Sequence, residues 1–88
     1  MGFKTAISAL LMATTGKVVN KIDTSIYGGD CQLSLRLKRK DDDSAAYVVL
    51  AGIAPENHQY YAMTAEEFTQ FSDAVQTIQN QLSRLNTK

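Results

Sequence analysis

Two hydrophobic periods divide this chain. Between residues 17 and 63 apolar side chains alternate or come in short runs, whereas from Met63 to Leu85 they recur every three or four positions. Phe68, Phe71, Val75, Ile78, Leu82 and Leu85 thereby share one face of an α-helix. Thr64 stands before Ala65 with Glu67 three residues on. That is the capping-box pattern, in which the hydroxyl accepts from an orphan backbone N–H and the carboxylate reaches back to the cap. Glu66 and Glu67 lie at the positive end of the helix dipole, and Arg84 and Lys88 near the negative end. The pattern predicts a helix over 64–85.

Upstream, the period of two predicts strands. Over 17–27, Val18, Ile22 and Ile26 fall on one face, with Asn20 and Thr24 between them, and Val19, Lys21, Asp23, Ser25 and Tyr27 on the other. Gly28-Gly29 supplies the positive φ angles of a tight hairpin turn. Over 31–40 the alternation is clearest: Cys31, Leu33, Leu35 and Leu37 are expected inward, and Gln32, Ser34, Arg36, Lys38 and Lys40 outward. A two-residue Gly28-Gly29 turn pairs Tyr27 with Asp30 and puts Tyr27 on the face of Arg36 and Lys38. After the polar turn Asp41-Asp42-Asp43-Ser44, residues 45–53 are apolar on both faces, as in a central strand covered on both sides. A four-residue loop there sets Tyr47 on the basic face, and a three-residue loop sets it in the core. Residues 52–58 read as a loop around Pro55, Glu56 and Asn57, and 59–63 as a short strand leading into the helix. Residues 3–13 fit either a strand or a short helix, because so short an apolar run satisfies both periods. The expected fold class is α+β: a four- to five-stranded antiparallel sheet followed by a long C-terminal amphipathic helix.

Composition narrows the setting. At 88 residues the chain makes one domain, 1–88, close to the size at which a single core barely suffices. Formal net charge is zero, yet the first forty residues carry an excess of five cations and the remainder an excess of five acids. That asymmetry suits a basic face, and it suits intramolecular charge balance equally well. A single cysteine, Cys31, excludes an internal disulfide and points to a reducing compartment. The apolar stretch 6–13 is short for a signal peptide and far short of the ~20 residues that span a bilayer. Ala6 stands where a myristoylation signal wants Ser or Thr. A cytoplasmic protein with no membrane partner is expected.

Catalytic and metal chemistry find no foothold, so no enzyme, no cofactor and no metal site are expected. His58 is the only histidine and has no sequence-local acid to orient it. Cys31 on the inward side of a strand behaves as a small hydrophobe. Asp41-Asp42-Asp43 lacks the spaced oxygens and closing glutamate of a calcium loop. Gly28-Gly29 joins two strands instead of opening a helix, so it makes no phosphate cradle.

The chemistry that remains is a surface. Arg36, Lys38 and Lys40 recur ~6.6–7 Å apart along one strand face, a spacing compatible with the phosphates of an extended single strand. Lys21, Tyr27 and Tyr47 extend the candidate set, the tyrosines as platforms on which bases stack. Alternating cations also solubilise an outer face and guard it against edge pairing, with no ligand involved.

The order of these elements, the basic run Arg36-Leu37-Lys38-Arg39-Lys40 and the strand-to-helix join from Tyr60 to Phe68 resemble the Whirly, Pur-alpha and positive-cofactor-four group of single-stranded nucleic-acid-binding proteins. The resemblance covers about 17–85 and implies helix-paired dimers whose curved sheets hold DNA or RNA, although the lysine-rich Whirly signature is missing. The Alu-domain proteins of the signal recognition particle look similar too, on condition that residues 3–13 are helical.

Helix length adds an independent argument. Twenty-two residues span ~33 Å, whereas four strands at ~4.8 Å spacing make a narrower sheet. The helix overhangs it, and the three-four alternation is that of a helix pair. A homodimer is therefore expected through Phe71, Val75, Ile78, Leu82 and Leu85, with single-stranded nucleic acid as ligand. The alternative is a non-enzymatic protein–protein adaptor or assembly subunit whose helix face, with Gln70, Gln76, Gln79 and Gln81, meets another protein.

Overall fold

The computed structural model describes residues 15–86, so the expectation for 3–13 lies outside the described residues. Four strands, β1 (Lys17–Ile26), β2 (Cys31–Arg39), β3 (Ala46–Ala54) and β4 (Asn57–Met63), form one antiparallel sheet in the order β1-β2-β3-β4. A helix, α1 (Ala65–Asn86), follows directly. The α+β architecture read from the sequence is the observed one.

Each connection is short and has a local cause. Ile26 pairs with Cys31, leaving Tyr27–Gly29 as a single 3-10 turn closed by the Asp30 N–H donating to the Tyr27 carbonyl at 3.1 Å. Gly28 and Gly29 take φ values of 63° and 101°, and Tyr27 itself sits at 55°. The second connection is held by the Lys40 N–H donating to the Ala45 carbonyl at 2.9 Å, so the loop is the four residues Asp41 to Ser44. Inside it the Asp42 carboxylate accepts from the Ser44 N–H at 2.9 Å, an Asx turn. Ser44, through backbone and side chain, holds the Asp42 carboxyl below its ordinary 3.8. The third connection is only Pro55-Glu56, because Ala54 pairs with Asn57. The loop expected over 52–58 is thus mostly strand, and His58 is a strand residue opposite Ile53.

The register sorts the side chains into two faces. One face carries Lys21, Asp23, Ser34, Arg36, Lys38, Tyr47, Val49, Ala51, Tyr60 and Ala62. The other carries Ile22, Ile26, Leu33, Leu35, Leu37, Val48, Leu50, Tyr61 and Met63. Burial does not follow the expected assignment. Val49 and Ala51 are fully buried, and Ser34, Lys38 and Tyr47 nearly so, all on the first face. The leucine face, expected inward, is half-buried at Leu33 and Leu35 and exposed at Leu37, Ile22 and Ile26. Two-residue alternation distinguishes the two faces of a strand without saying which is covered, and here the polar face of β2 lies beside the core-forming residues of β3.

A bulge between Val18 and Asn20 corrects the reading of β1 as well. Val18 pairs with Lys38, but Asn20 already pairs with Leu37, so Val18 and Ile22 lie on opposite faces. This outer edge is guarded. Besides the bulge it carries Lys17 and Lys21, and the Asn20 side chain accepts the Lys21 N–H at 2.8 Å.

The helix starts as its sequence demands. The Thr64 hydroxyl accepts from the Glu67 N–H at 3.1 Å, while the Glu67 carboxylate accepts from the Thr64 N–H at 2.9 Å. Its substantial contacts are with β3 and β4. They lie at its beginning, where Phe68 is half-buried and Phe71 shares a cleft with Leu50, Tyr61 and Met63. Beyond Phe71 the apolar stripe stays exposed, and no residue of α1 is buried. The Cα radius of gyration is 15.0 Å, against about 12 Å for a compact domain of this length.

Candidate functional site

Of the residues expected to bind a single strand, Lys21, Arg36, Lys38 and Tyr47 share one sheet face, but not as an open track. Lys38 is only 4% exposed. It is flanked across the ladder by Tyr47 on one side and Val18 on the other, so its aliphatic stem lies in apolar company. Burial, and secondarily the charge of Arg36, lowers its pKa from 10.5, with Asp41 pulling the other way. The expectation that Arg36, Lys38 and Lys40 all point away from the core therefore fails at Lys38.

Tyr47 resolves the loop alternatives in an unexpected way. The four-residue loop does place it on the face of Lys38, and that face is where the core lies: Tyr47 is 4% exposed. Its hydroxyl donates to the Thr15 carbonyl at 3.1 Å. Burial raises its pKa above 10.0, opposed by the Thr15 hydrogen bond. The chain entering β1 therefore passes over this end of the face. Gly16 lies there at φ 80°, where an added Cβ would sit 2.6 Å from the Tyr47 Oη and 2.8 Å from the Arg39 carbonyl oxygen.

The remaining candidates are placed as follows. Arg36 is half-buried, donates from Nε to the Ser34 hydroxyl at 3.2 Å, and holds its guanidinium 5.9 Å from the Tyr60 ring centroid, a cation–π arrangement. Ser34 in turn hydrogen-bonds the Asp23 carboxylate, the leading cause of the lowered pKa of Asp23, with Lys21 and Arg36 adding to it. Lys21 is exposed and pairs with Asp23 at 3.6 Å. Lys40 is exposed just beyond the end of β2. Tyr27 projects from the hairpin tip, 77% exposed. The structure thus brings Lys21 opposite Arg36 and Lys38 opposite Tyr47, while Tyr27 and Lys40 stand at opposite ends of β2. Asp23 was not among the sequence candidates. Its place beside Lys21 on the same strand face was the available signal.

The stripe expected to join two copies is exposed along its length. Phe71 is the most covered, and Val75, Ile78, Leu82 and Leu85 are each half or more exposed, reaching 63% at Ile78 and 78% at Leu85. Two further apolar surfaces lie on the leucine face. One is the cleft beside Phe71. The other is a groove at the hairpin end, floored by Ile26, Leu33, Gly52 and Ala54 and rimmed by Asp30, Asn57 and Gln59. Cys31 lines this groove, half-buried.

Among the described residues no group of three or more His, Cys, Asp and Glu side chains is arranged to hold a metal ion. No described helix is long and apolar enough to cross a membrane. Comparison with protein-family models, curated proteins and solved structures finds no match for this chain.

Proposed function

We propose that this chain is a non-enzymatic assembly subunit of the cytoplasm that works as a homodimer joined through α1. One observation carries the reading: Val75, Ile78, Leu82 and Leu85 recur at the three-four spacing of a helix seam, yet they keep half or more of their surface in water. Contiguous apolar surface of this kind is uncommon on a soluble monomer and marks an interaction site. The lone, half-buried Cys31 supports a reducing compartment.

Single-stranded nucleic acid is the second reading, and it rests on the exposed Lys21, Tyr27 and Lys40. It is the weaker of the two because Lys38 and Tyr47, the centre of the expected track, are buried.

Sedimentation equilibrium tests the assembly. Wild type should be dimeric at micromolar concentration, and Ile78→Glu with Leu82→Glu should give a monomer of unchanged circular dichroism, since neither side chain packs in the core. A wild-type monomer at high micromolar concentration would overturn the proposal. A low-salt titration with labelled single strands separates the second reading. Binding whose salt slope falls by ~0.7 for each lost phosphate contact in Lys21→Gln or Lys40→Gln would establish it.

A further inference from the structure

We infer that in the dimer each α1 lies across the leucine face of the partner's sheet, so that the two copies exchange helices. This rests on the homodimer proposed above and specifies what the helix meets. Both surfaces are apolar, and outside the cleft of Phe71 both keep much of their area exposed within one copy. On the sheet, Ile22, Ile26, Leu37 and Tyr61 are exposed around the half-buried Leu33 and Leu35; on the helix, Val75 to Leu85 are exposed. Together they amount to on the order of 900 Å² per copy, against ~800 Å² per partner in a standard interface. The helix stripe alone is too narrow to reach that figure. A helix-only pair would also leave the leucine face in water.

Dimensions agree. From Phe71 to Leu85 the stripe is ~21 Å long, and β2 offers a face of ~30 Å. Charge agrees too. Residues 74–83 of the helix contain no ionisable side chain, and the leucine face is rimmed by Asn20, Thr24, Asn57 and Gln59. Such depletion is the composition of an interface core. The charges stand at the ends: Asp73 precedes and Arg84 follows the neutral stretch of the helix. On the sheet, Arg39 marks one end, where Lys17 is already paired with Asp43 at 3.4 Å, and Asp30 marks the other. Matching opposite signs runs the partner's helix antiparallel to β2. Leu82 and Leu85 then arrive at the hairpin-end groove of Ile26, Cys31 and Leu33, where Gly52 leaves the floor open.

Cys31 is the sole native thiol and lies where the helix tip should land, so it reports the seating directly. A second thiol is introduced as Leu85→Cys and, separately, as Gln81→Cys, both on the exposed helix. Each full-length variant is oxidised with oxidised glutathione, which takes up the two thiol hydrogens as the protein disulfide forms. The expected product is a covalent dimer bridging Cys31 of one copy to the introduced thiol of the other, abolished by Cys31→Ser. As an independent measure, maleimide labelling of wild-type Cys31 should slow at least tenfold from dilute to dimeric concentration. If sedimentation shows a dimer but bridges form only between the two introduced thiols, the helices pair along each other. Helix exchange is then wrong while the homodimer stands. A bridge within one chain, or concentration-independent labelling, likewise overturns the exchange. A protein that sediments as a monomer removes both proposals.

Discussion

Replacing Gly16 by alanine probes how the chain enters the sheet, and its cost can be worked from two separate terms. At φ 80° an L-residue is in the left-handed region, which costs roughly 1–2 kcal/mol. The added Cβ would also stand 2.8 Å from the Arg39 carbonyl oxygen and 2.6 Å from the Tyr47 hydroxyl. The carbonyl belongs to strand backbone and cannot retreat without disturbing the ladder. The hydroxyl can swing away, but only by giving up its bond to the Thr15 carbonyl, worth about 0.5–1.5 kcal/mol. The expected loss is therefore about 1.5–3.5 kcal/mol, a large part of the ~5–15 kcal/mol that holds a small domain folded. Urea denaturation reads it as a midpoint lowered by roughly 1–3 M at ordinary slopes for this size. A double-mutant cycle isolates the tyrosine: in a Tyr47→Phe background Gly16→Ala should cost about 1 kcal/mol less, because the nearer obstacle is gone while the backbone terms remain. A Gly16→Ala variant within 0.5 kcal/mol of wild type, or identical costs in the two backgrounds, would show that Thr15 and Gly16 do not lie over Tyr47.

Thr64→Ala should destabilise by about 1 kcal/mol, read as a lowered urea midpoint, since it removes the acceptor of the Glu67 N–H in the capping box. The alkaline limb of stability should be shaped by two opposed groups. Lys38, with its folded pKa below 10.5, releases its proton first in the native state, so stability rises with pH through the window beneath 10.5. Tyr47, with its folded pKa above 10.0, ionises first in the unfolded chain, so stability falls as pH climbs past 10.0. Chemical denaturation at a series of pH values should show the rise lost in Lys38→Met and the fall lost in Tyr47→Phe. Persistence of both slopes in the two variants would contradict this assignment.

The helix was legible to its cap because every determinant is local: the Thr64–Glu67 pair sets the start and the three-four stripe sets the face. Strand register between β1 and β2 was legible for the same reason, since a turn centred on Gly28-Gly29 leads to the pairing of Ile26 with Cys31 and hence of Lys21 with Arg36. Which face is covered was not legible. Lys38 and Leu37 are neighbours in a strand, and the residue that decides between them is Tyr47, a long-range partner whose side depends on loop length. The bulge at Val19 was equally hidden, because neither it nor its flanks is a glycine. As a result the face of Arg36 and Lys38 was read as open, although the same side carries the buried Val49 and Ala51.

The sheet is a meander, and that has a kinetic consequence. Among the described residues each strand bonds only the strands next to it in the chain, through connections of two to six residues. Such sequence-near pairings have low loop-closure cost and place the domain among the faster folders of its size. On a ribosome, β1 to β4 could pair in order as they emerge, and the sheet would be complete before the last turns of α1 exist. Joining two copies would then be a separate bimolecular phase whose rate scales with concentration. Between those two events the half-open leucine face is the surface a chaperone would meet.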